Sequence, residues 1–173
     1  MTDLRRFIRD VPDFPRKGIR FKDITPLLLD PGALAAAIEA MAGRVPRPEA
    51  VVAIESRGFV FGTGLALHWR APLVMARKFG KLPGRTVREV YSLEYGEDTL
   101  EVHADALRPG QRVVVVDDLL ATGGTARATA RLVEKLKAKV EAMVFLIELA
   151  GLGGRERLKE HRVEALLSYE VHE

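Results

Sequence analysis

Apolar positions in this chain are gathered into short blocks: residues 51–54, 72–76, 113–116 and 140–149 are each dominated by them. Runs of that length with little polar alternation are the pattern of strands covered on both faces, which is how parallel strands sit. Between the blocks the period becomes helical. Asp30 reads as a cap and Pro31 as the first position of a helix running to about Gly43, with Leu34, Ile38 and Met41 on one side. Phe59 to Trp69 reads as a second helix. The Ala-rich stretch after Thr125 reads as a third, with Leu132, Val133 and Leu136 sharing a side. A short helix over 153–160 and a strand over 163–169 complete the pattern. Strand, helix and strand in alternation predict an α/β fold with a mostly parallel central sheet flanked by helices.

Two regions depart from this rhythm. Leu4 to Arg9 suggests a short helix, but Pro12, Pro15 and Pro26 make the rest of the first 30 residues an extended arm, since proline and the residue before it avoid helix. From Phe79 to Asp98 the core pattern stops, broken by Gly80, Pro83, Gly84 and Gly96 with charges between them. A connection that long in a compact domain is functional or mobile. Residues 86–90 and 99–103 are expected to pair at its base. No repeat or second core is visible, so residues 1–173 are expected to form one domain, with an arm over 1–30 and a mobile lid over 79–100.

Composition narrows the classes. Hydrophobic residues at 47% with mixed charge describe a folded chain, and 173 residues suffice for one substantial core. There is no cysteine, which excludes disulfides and thiolate metal sites, and the four histidines lack ligand spacing. A net charge of +3 is too small to call for nucleic acid, although small polyanions would be welcome. No apolar run approaches the roughly 18–20 residues of a membrane span. Charges in the first six residues argue against a secretory signal. The cytoplasm is the expected compartment.

The densest chemistry lies where the third helix begins. After the valines of 113–116 come Asp117 and Asp118, then Ala121, Thr122, Gly123, Gly124 and Thr125. Glycines let backbone N–H groups close on an anion, and a helix start adds about half a positive charge. That suits a phosphate. Ionised carboxylates only accept hydrogen bonds, so the two aspartates suit sugar hydroxyls or the water shell of a metal. A phosphate cup beside paired diol acceptors describes a site for ribose 5-phosphate. No Lys follows the second glycine as a nucleotide P-loop requires. Glu55–Ser56–Arg57–Gly58–Phe59 holds the same strand-to-helix position and offers a second anion site. Arg77, Lys78 and Lys81 follow another strand as a candidate pyrophosphate clamp. Tyr91–Ser92–Leu93–Glu94–Tyr95–Gly96 could close over a water-sensitive reaction.

These stretches, together with Phe14–Pro15 and Gly18–Ile19–Arg20–Phe21–Lys22–Asp23–Ile24–Thr25, occur in the order found in one group of proteins. Nearly from end to end the chain resembles the type I phosphoribosyltransferase family, and within it the adenine phosphoribosyltransferases. The resemblance implies an N-terminal hood formed by the arm, a flexible lid hairpin and a homodimer. It also implies a pentosyl transfer of purine salvage. Ribose 5-phosphate passes from 5-phosphoribosyl 1-pyrophosphate (PRPP) to adenine, giving AMP and pyrophosphate with Mg2+. By resemblance Ala121, Thr122, Gly123, Gly124 and Thr125 hold the 5-phosphate, and Asp117 and Asp118 the ribose hydroxyls. Ser56, Arg57, Arg77, Lys78 and Lys81 face the pyrophosphate, with a cis peptide before Ser56. Phe21 stacks on adenine, backbone groups of Arg20 and Lys22 read its edge, and Leu119 completes the base pocket. Magnesium is held through substrate and water, with no direct protein ligand. Two departures touch the hood: Lys22 stands where many members carry Arg, and Lys17 where Pro is common.

Bond breaking at the ribose develops positive charge on the sugar ring and negative charge on the leaving group. Asp117 and Asp118 answer the first, while Arg57, Lys78, Lys81 and magnesium answer the second. The attacking purine nitrogen must lose its proton. Glu94, delivered by the lid, is the candidate base, with organisation of the lid as its other role. Two rival functions remain at this stage. One is transfer to a 6-oxopurine or another base on the same fold. The other is a non-catalytic PRPP-sensing regulator, which would usually carry a DNA-binding domain that has no room before Phe14.

Overall fold

The computed structural model describes residues 3–92 and 96–171. A single 3-10 turn, Leu4–Phe7, precedes two short strands, β1 (Arg9–Pro12) and β2 (Arg20–Asp23), and two helices, α1 (Thr25–Leu29) and α2 (Pro31–Ala42). The alternating part follows as β3 (Ala50–Ile54), α3 (Gly58–Trp69), β4 (Leu73–Lys78), β5 (Thr86–Ser92) and β6 (Glu97–His103). It ends with β7 (Arg112–Leu120), α4 (Gly124–Lys135), β8 (Lys139–Ala150), α5 (Gly154–Arg157) and β9 (Val163–Glu170). Among the described residues no helix is long and apolar enough to cross a membrane.

Strands β3 to β9 make one sheet in the order β5-β6-β4-β3-β7-β8-β9. The five strands from β4 to β9 in that order are parallel, as the apolar runs require, and β6 and β5 extend the sheet antiparallel. Strand β7 shows why four consecutive valines were needed. Val113 and Val115 pack in the layer with α4, and Val114 and Val116 pack in the opposite layer with α2 and α3. All four are fully buried. Each such side chain contributes on the order of 1.5–3 kcal/mol by leaving water.

Several boundaries differ from the sequence reading for identifiable reasons. The arm is extended over β1 and β2, which fold back on each other as a hairpin pairing Asp10 with Lys22 and Val11 with Phe21, but it ends in helix α1, whose first turn admits Pro26. The turn between the strands uses a cis Phe14–Pro15 bond, which prolines permit. The long connection after Phe79 is largely strand, because β5 and β6 pair from Thr86 opposite His103 to Ser92 opposite Glu97, and β6 adds to β4. Helix α2 has its Asp30 cap, whose carboxylate accepts from the Ala33 N–H at 2.8 Å. Its buried face is Ala33, Ala37 and Met41, while Leu34 and Ile38 are half-buried at the margin. Helix α5 is one turn, not the two expected. Strand β7 continues through Asp117 and Asp118 to Leu120, so the strand runs two residues past the aspartates that the sequence set at its end.

This topology brings the C-terminal ends of β3, β4 and β7 to one edge, the position at which open parallel sheets bind ligands.

Candidate active site

At that edge the turn after β7 forms a cup bounded by Asp117, Leu119 and the residues 120–126, enclosing about 100 Å³. Gly123 adopts φ +77°, and a Cβ there would lie 2.9 Å from the carbonyl oxygen of Gly154. Only glycine satisfies both the left-handed backbone and that contact. The turn after β7 is thereby seated on the turn after β8, and the first residues of α4, Gly124 to Ala126, border the cup. Ala121, Thr122, Gly123, Gly124 and Thr125 are all in its wall.

A second cavity of about 240 Å³ adjoins it, lined by Glu55, Ser56, Arg57, Lys78, Asp117, Asp118, Leu119 and Thr125. Residues from three strand ends therefore meet around one space. The Asp118 N–H donates to Asp117 Oδ1 at 2.8 Å. Burial, reinforced by the Asp118 charge, pushes the Asp117 carboxyl well above the usual carboxylate range. Burial also raises Asp118, against the opposing pull of the Arg57 guanidinium. Two acids this close do not both ionise freely. The paired acceptors of the sequence reading thus hold a proton more tightly than ordinary aspartates. Asp118 Oδ2 is buried, and although Arg57 Nε lies 3.0 Å away, it forms no aligned hydrogen bond.

The cations are engaged by acids of the same edge. Arg57 pairs with Asp118 while its guanidinium carbon lies 5.2 Å from the Phe21 ring centre. The Glu55–Ser56 peptide before it is cis. Arg77 donates to Glu55 Oε1 at 3.2 Å and to the Lys81 carbonyl at 3.2 Å. The Lys78 N–H donates to Glu55 Oε2 at 2.7 Å, and its ammonium meets Asp98 on β6, with the Tyr91 hydroxyl at 3.4 Å. Burial would raise the Glu55 pKa, but the Lys78 N–H and the Arg77 guanidinium outweigh it and hold the group below its usual range. Lys81 is exposed on the loop beyond β4.

The β1–β2 hairpin supplies the other wall. Phe14 and Phe21 meet edge to face at 5.2 Å. Lys22 is buried, its ammonium 2.9 Å from Asp10 Oδ1 and 4.1 Å from the centre of the Tyr169 ring on β9. Arg20 reaches Asp10 Oδ2 at 3.3 Å from the exposed side. The side chains of both residues thus serve the hairpin. Leu119 is half-buried beside the two aspartates. Glu94 lies outside the described residues.

The contacts of four residues escape the sequence, Tyr91 being visible there only as part of the lid. Glu55, which reads there only as a neighbour of Ser56, ties β3 to Arg77 and Lys78. Tyr91 and Asp98, partners of Lys78, come from paired positions on β5 and β6 that no local pattern links to β4. Arg157 rises from α5 so that its Nη1 would stand 3.2 Å from a Cβ on Gly124. With Arg127 and Arg131 it borders a cavity of about 510 Å³ that also reaches Thr122, Gly124 and Thr125. Arg131 pairs with Glu89 at 2.9 Å, a carboxylate it shares with Lys135.

A small glycine-lined cup after β7, beside a carboxylate pair on that strand and at the ligand-binding edge of a parallel sheet, has the chemistry to take a phosphorylated sugar. The chain belongs to the family of the phosphoribosyl transferase domain, whose model matches residues 27–167. Among its relatives, it is 54% identical over 169 residues to the adenine phosphoribosyltransferase of Desulfitobacterium hafniense (strain Y51), covering 96% of this chain and 98% of the relative. The crystal structure of adenine phosphoribosyltransferase from Thermoanaerobacter pseudethanolicus superposes with a TM-score of 0.93 at 47% identity, covering 96% of this chain and 98% of the other. The Saccharomyces cerevisiae enzyme, solved with an imino-altritol bisphosphate and adenine, gives a TM-score of 0.89 at 38% identity over 94% and 96% of the two chains.

Proposed function

We propose that this chain transfers ribose 5-phosphate from PRPP to adenine, releasing AMP and pyrophosphate. The observation that carries the reading is the meeting of the 121–125 cup, the Asp117–Asp118 pair and Arg57 around adjoining cavities, with Phe21 against Arg57. In the reaction, the bond from the ribose anomeric carbon to the pyrophosphate oxygen breaks and a purine nitrogen bonds to that carbon. The leaving electron pair departs with pyrophosphate. The cup's N–H groups and Thr122 and Thr125 hold the 5-phosphate. Asp117 and Asp118 accept from the ribose hydroxyls and lower the energy of the cationic ring. Arg57, Arg77, Lys78 and Lys81, with Ser56, gather at the pyrophosphate end, which asks Arg57 and Lys78 to exchange Asp118 and Asp98 for substrate oxygens.

The donor set suits magnesium. Asp118 Oδ2 has acceptor capacity unused by any aligned donor, and hard oxygen donors with substrate phosphates are what this ion prefers. When bound through substrate and water, the ion supplies neutralising charge to the departing pyrophosphate. Mixing the protein with PRPP, Mg2+ and equimolar adenine, hypoxanthine, guanine and uracil tests the assignment. Adenine should be consumed in preference, with one pyrophosphate per AMP; equal use of hypoxanthine or guanine, or no pyrophosphate, overturns it.

Glu94 is assigned the proton of the purine nitrogen. Glu94→Gln is therefore expected to cut kcat by about 10²-fold while leaving the KM values within about threefold. Steady-state kinetics with each substrate varied checks this, and an unchanged kcat removes the role.

A homodimer is the assembly inferred. Helix α3 leaves Leu67 73% and Val60 39% exposed, and β4 leaves Met75 42% and Leu73 38% exposed beside it. Large apolar side chains gathered on one face mark an interaction surface. Such a face meeting a second copy of itself closes with twofold symmetry. Leu67→Glu is expected to shift the sedimentation of the protein toward monomer; unchanged sedimentation sinks this face as the interface. The phosphorylated substrates, which do not cross membranes unaided, make the cytoplasm the compartment inferred.

A further inference from the structure

Leu100 and Val102 on β6 point into the apolar core, so Glu101 between them faces the other side of the sheet edge. Solvent would be the ordinary place for its carboxylate, yet the residue is only 1% exposed. The loop after β4 folds over it. Its Oε1 accepts three successive backbone N–H groups, from Gly80 at 3.0 Å, Lys81 at 3.2 Å and Leu82 at 3.1 Å. Its Oε2 accepts from the Thr86 hydroxyl at 3.1 Å, with Arg88 Nε at 3.5 Å. Burial pushes the group's pKa up, but these donors outweigh it and hold it below the usual range.

The register explains the purpose of so many donors. Glu101 and Arg77 are direct partners across the β6–β4 pair. Arg77 Nη1 takes the Lys81 carbonyl at 3.2 Å, while Glu101 takes the Lys81 N–H. One acid and one base facing each other across two strands thus grip the backbone of Lys81 on both sides. Glu55 holds Arg77 from behind. Arg88 and Thr86 lie on β5, so the same carboxylate also joins this loop to the β5–β6 hairpin.

We propose that Glu101 is a positioning residue for the leaving-group end of the site, fixing the 80–82 turn so that Lys81 is presented to pyrophosphate. The proposal rests on the reading of Lys81 as a pyrophosphate contact. An ammonium on a long side chain discriminates the transition state only if its base is fixed, and a displacement of about 1 Å can cost on the order of 10²-fold in rate.

Two substitutions separate position from charge. Glu101→Gln keeps an oxygen where the three N–H groups converge and loses the charge. Glu101→Asp keeps the charge and withdraws the oxygens by one C–C bond, roughly 1.5 Å. Positioning predicts that the Gln variant stays within about threefold of wild type in kcat/KM for PRPP, and that the Asp variant falls by roughly tenfold or more. The KM for adenine and the affinity for AMP, which lacks the pyrophosphate, should move less than about twofold. Lys81→Met should show the same selective loss, and Glu101→Asp combined with it should be no worse than Lys81→Met alone, because the two act through one contact.

A loss larger in Gln than in Asp, equal losses toward PRPP and adenine, or additivity with Lys81→Met overturns the proposal while leaving the reaction assignment in place. Wild-type kinetics in Lys81→Met would remove the Lys81 reading itself, and the proposal with it. That result is distinct from Lys81→Met being impaired while Glu101→Asp is not.

Discussion

Exchanging Asp117 and Asp118 together for asparagine is expected to lower AMP formation by about 10²–10³-fold, the size seen when a preorganised electrostatic contact to a developing charge is removed. Asparagine preserves volume, and its carbonyl oxygen at position 117 can still accept the backbone N–H that Asp117 Oδ1 receives at 2.8 Å. What disappears is negative charge beside the ribose. Single-turnover AMP formation is the measurement, and a rate within tenfold of wild type contradicts the assignment. Asp117→Asn alone should make the protein more stable at neutral pH. Burial and the neighbouring charge raise the Asp117 pKa in the native state. Between the unfolded value of about 3.9 and that raised value, the native state binds more protons than the unfolded one. The derivative of unfolding free energy with pH is then negative, so wild-type stability declines as pH climbs through the window. Melting curves should place Asp117→Asn above wild type at pH 7–8, with the gap closing as pH falls toward the ordinary carboxylate range. A variant that melts lower at neutral pH contradicts this.

Gly58→Ala is expected to disable the site from behind. A Cβ on Gly58 would stand 2.8 Å from Asp117 Oδ1, 3.0 Å from the Val116 carbonyl and 3.1 Å from the Asp117 Cα. Two of these are backbone of a central strand, which has no room to yield. Helix α3 must lift from β7, carrying Arg57 and Ser56 away from the cavity. Overpacking of this kind costs about 1–3 kcal/mol, several degrees of Tm for a domain of this size. Misplacing Arg57 and Asp117 should lower kcat/KM for PRPP by roughly 10²-fold. Calorimetry with steady-state kinetics tests both parts; normal melting with normal kinetics would show that the helix accommodates the methyl group.

Local chemistry made much of this molecule legible in advance. Four valines can be buried on two faces only by a central strand, and Asp30–Pro31 can start only a few structures. The 121–125 turn declared itself because its glycines and threonines are consecutive. The partners of these groups were not legible, because they are set by strand order. Nothing near Lys78 in the chain announces Asp98, and nothing near Arg77 announces Glu101; both pairs exist because β6 lies beside β4. The hairpin of the arm was hidden for a different reason. Its prolines speak against helix but do not say where the chain turns back, and Lys22, paired with Asp10 across the hairpin, also rests on Tyr169 from the far end of the chain.

The resting place of Arg57 has a bearing on how the two reactants arrive. One guanidinium lies 5.2 Å from the Phe21 ring and 3.0 Å from Asp118, so on the proposed reading it occupies ground meant for both reactants. An uncharged purine has little with which to dislodge it, whereas a highly charged donor is expected to draw it away. Adenine should then bind more tightly with the phosphorylated donor present than without it, and equal affinities in calorimetry would contradict this.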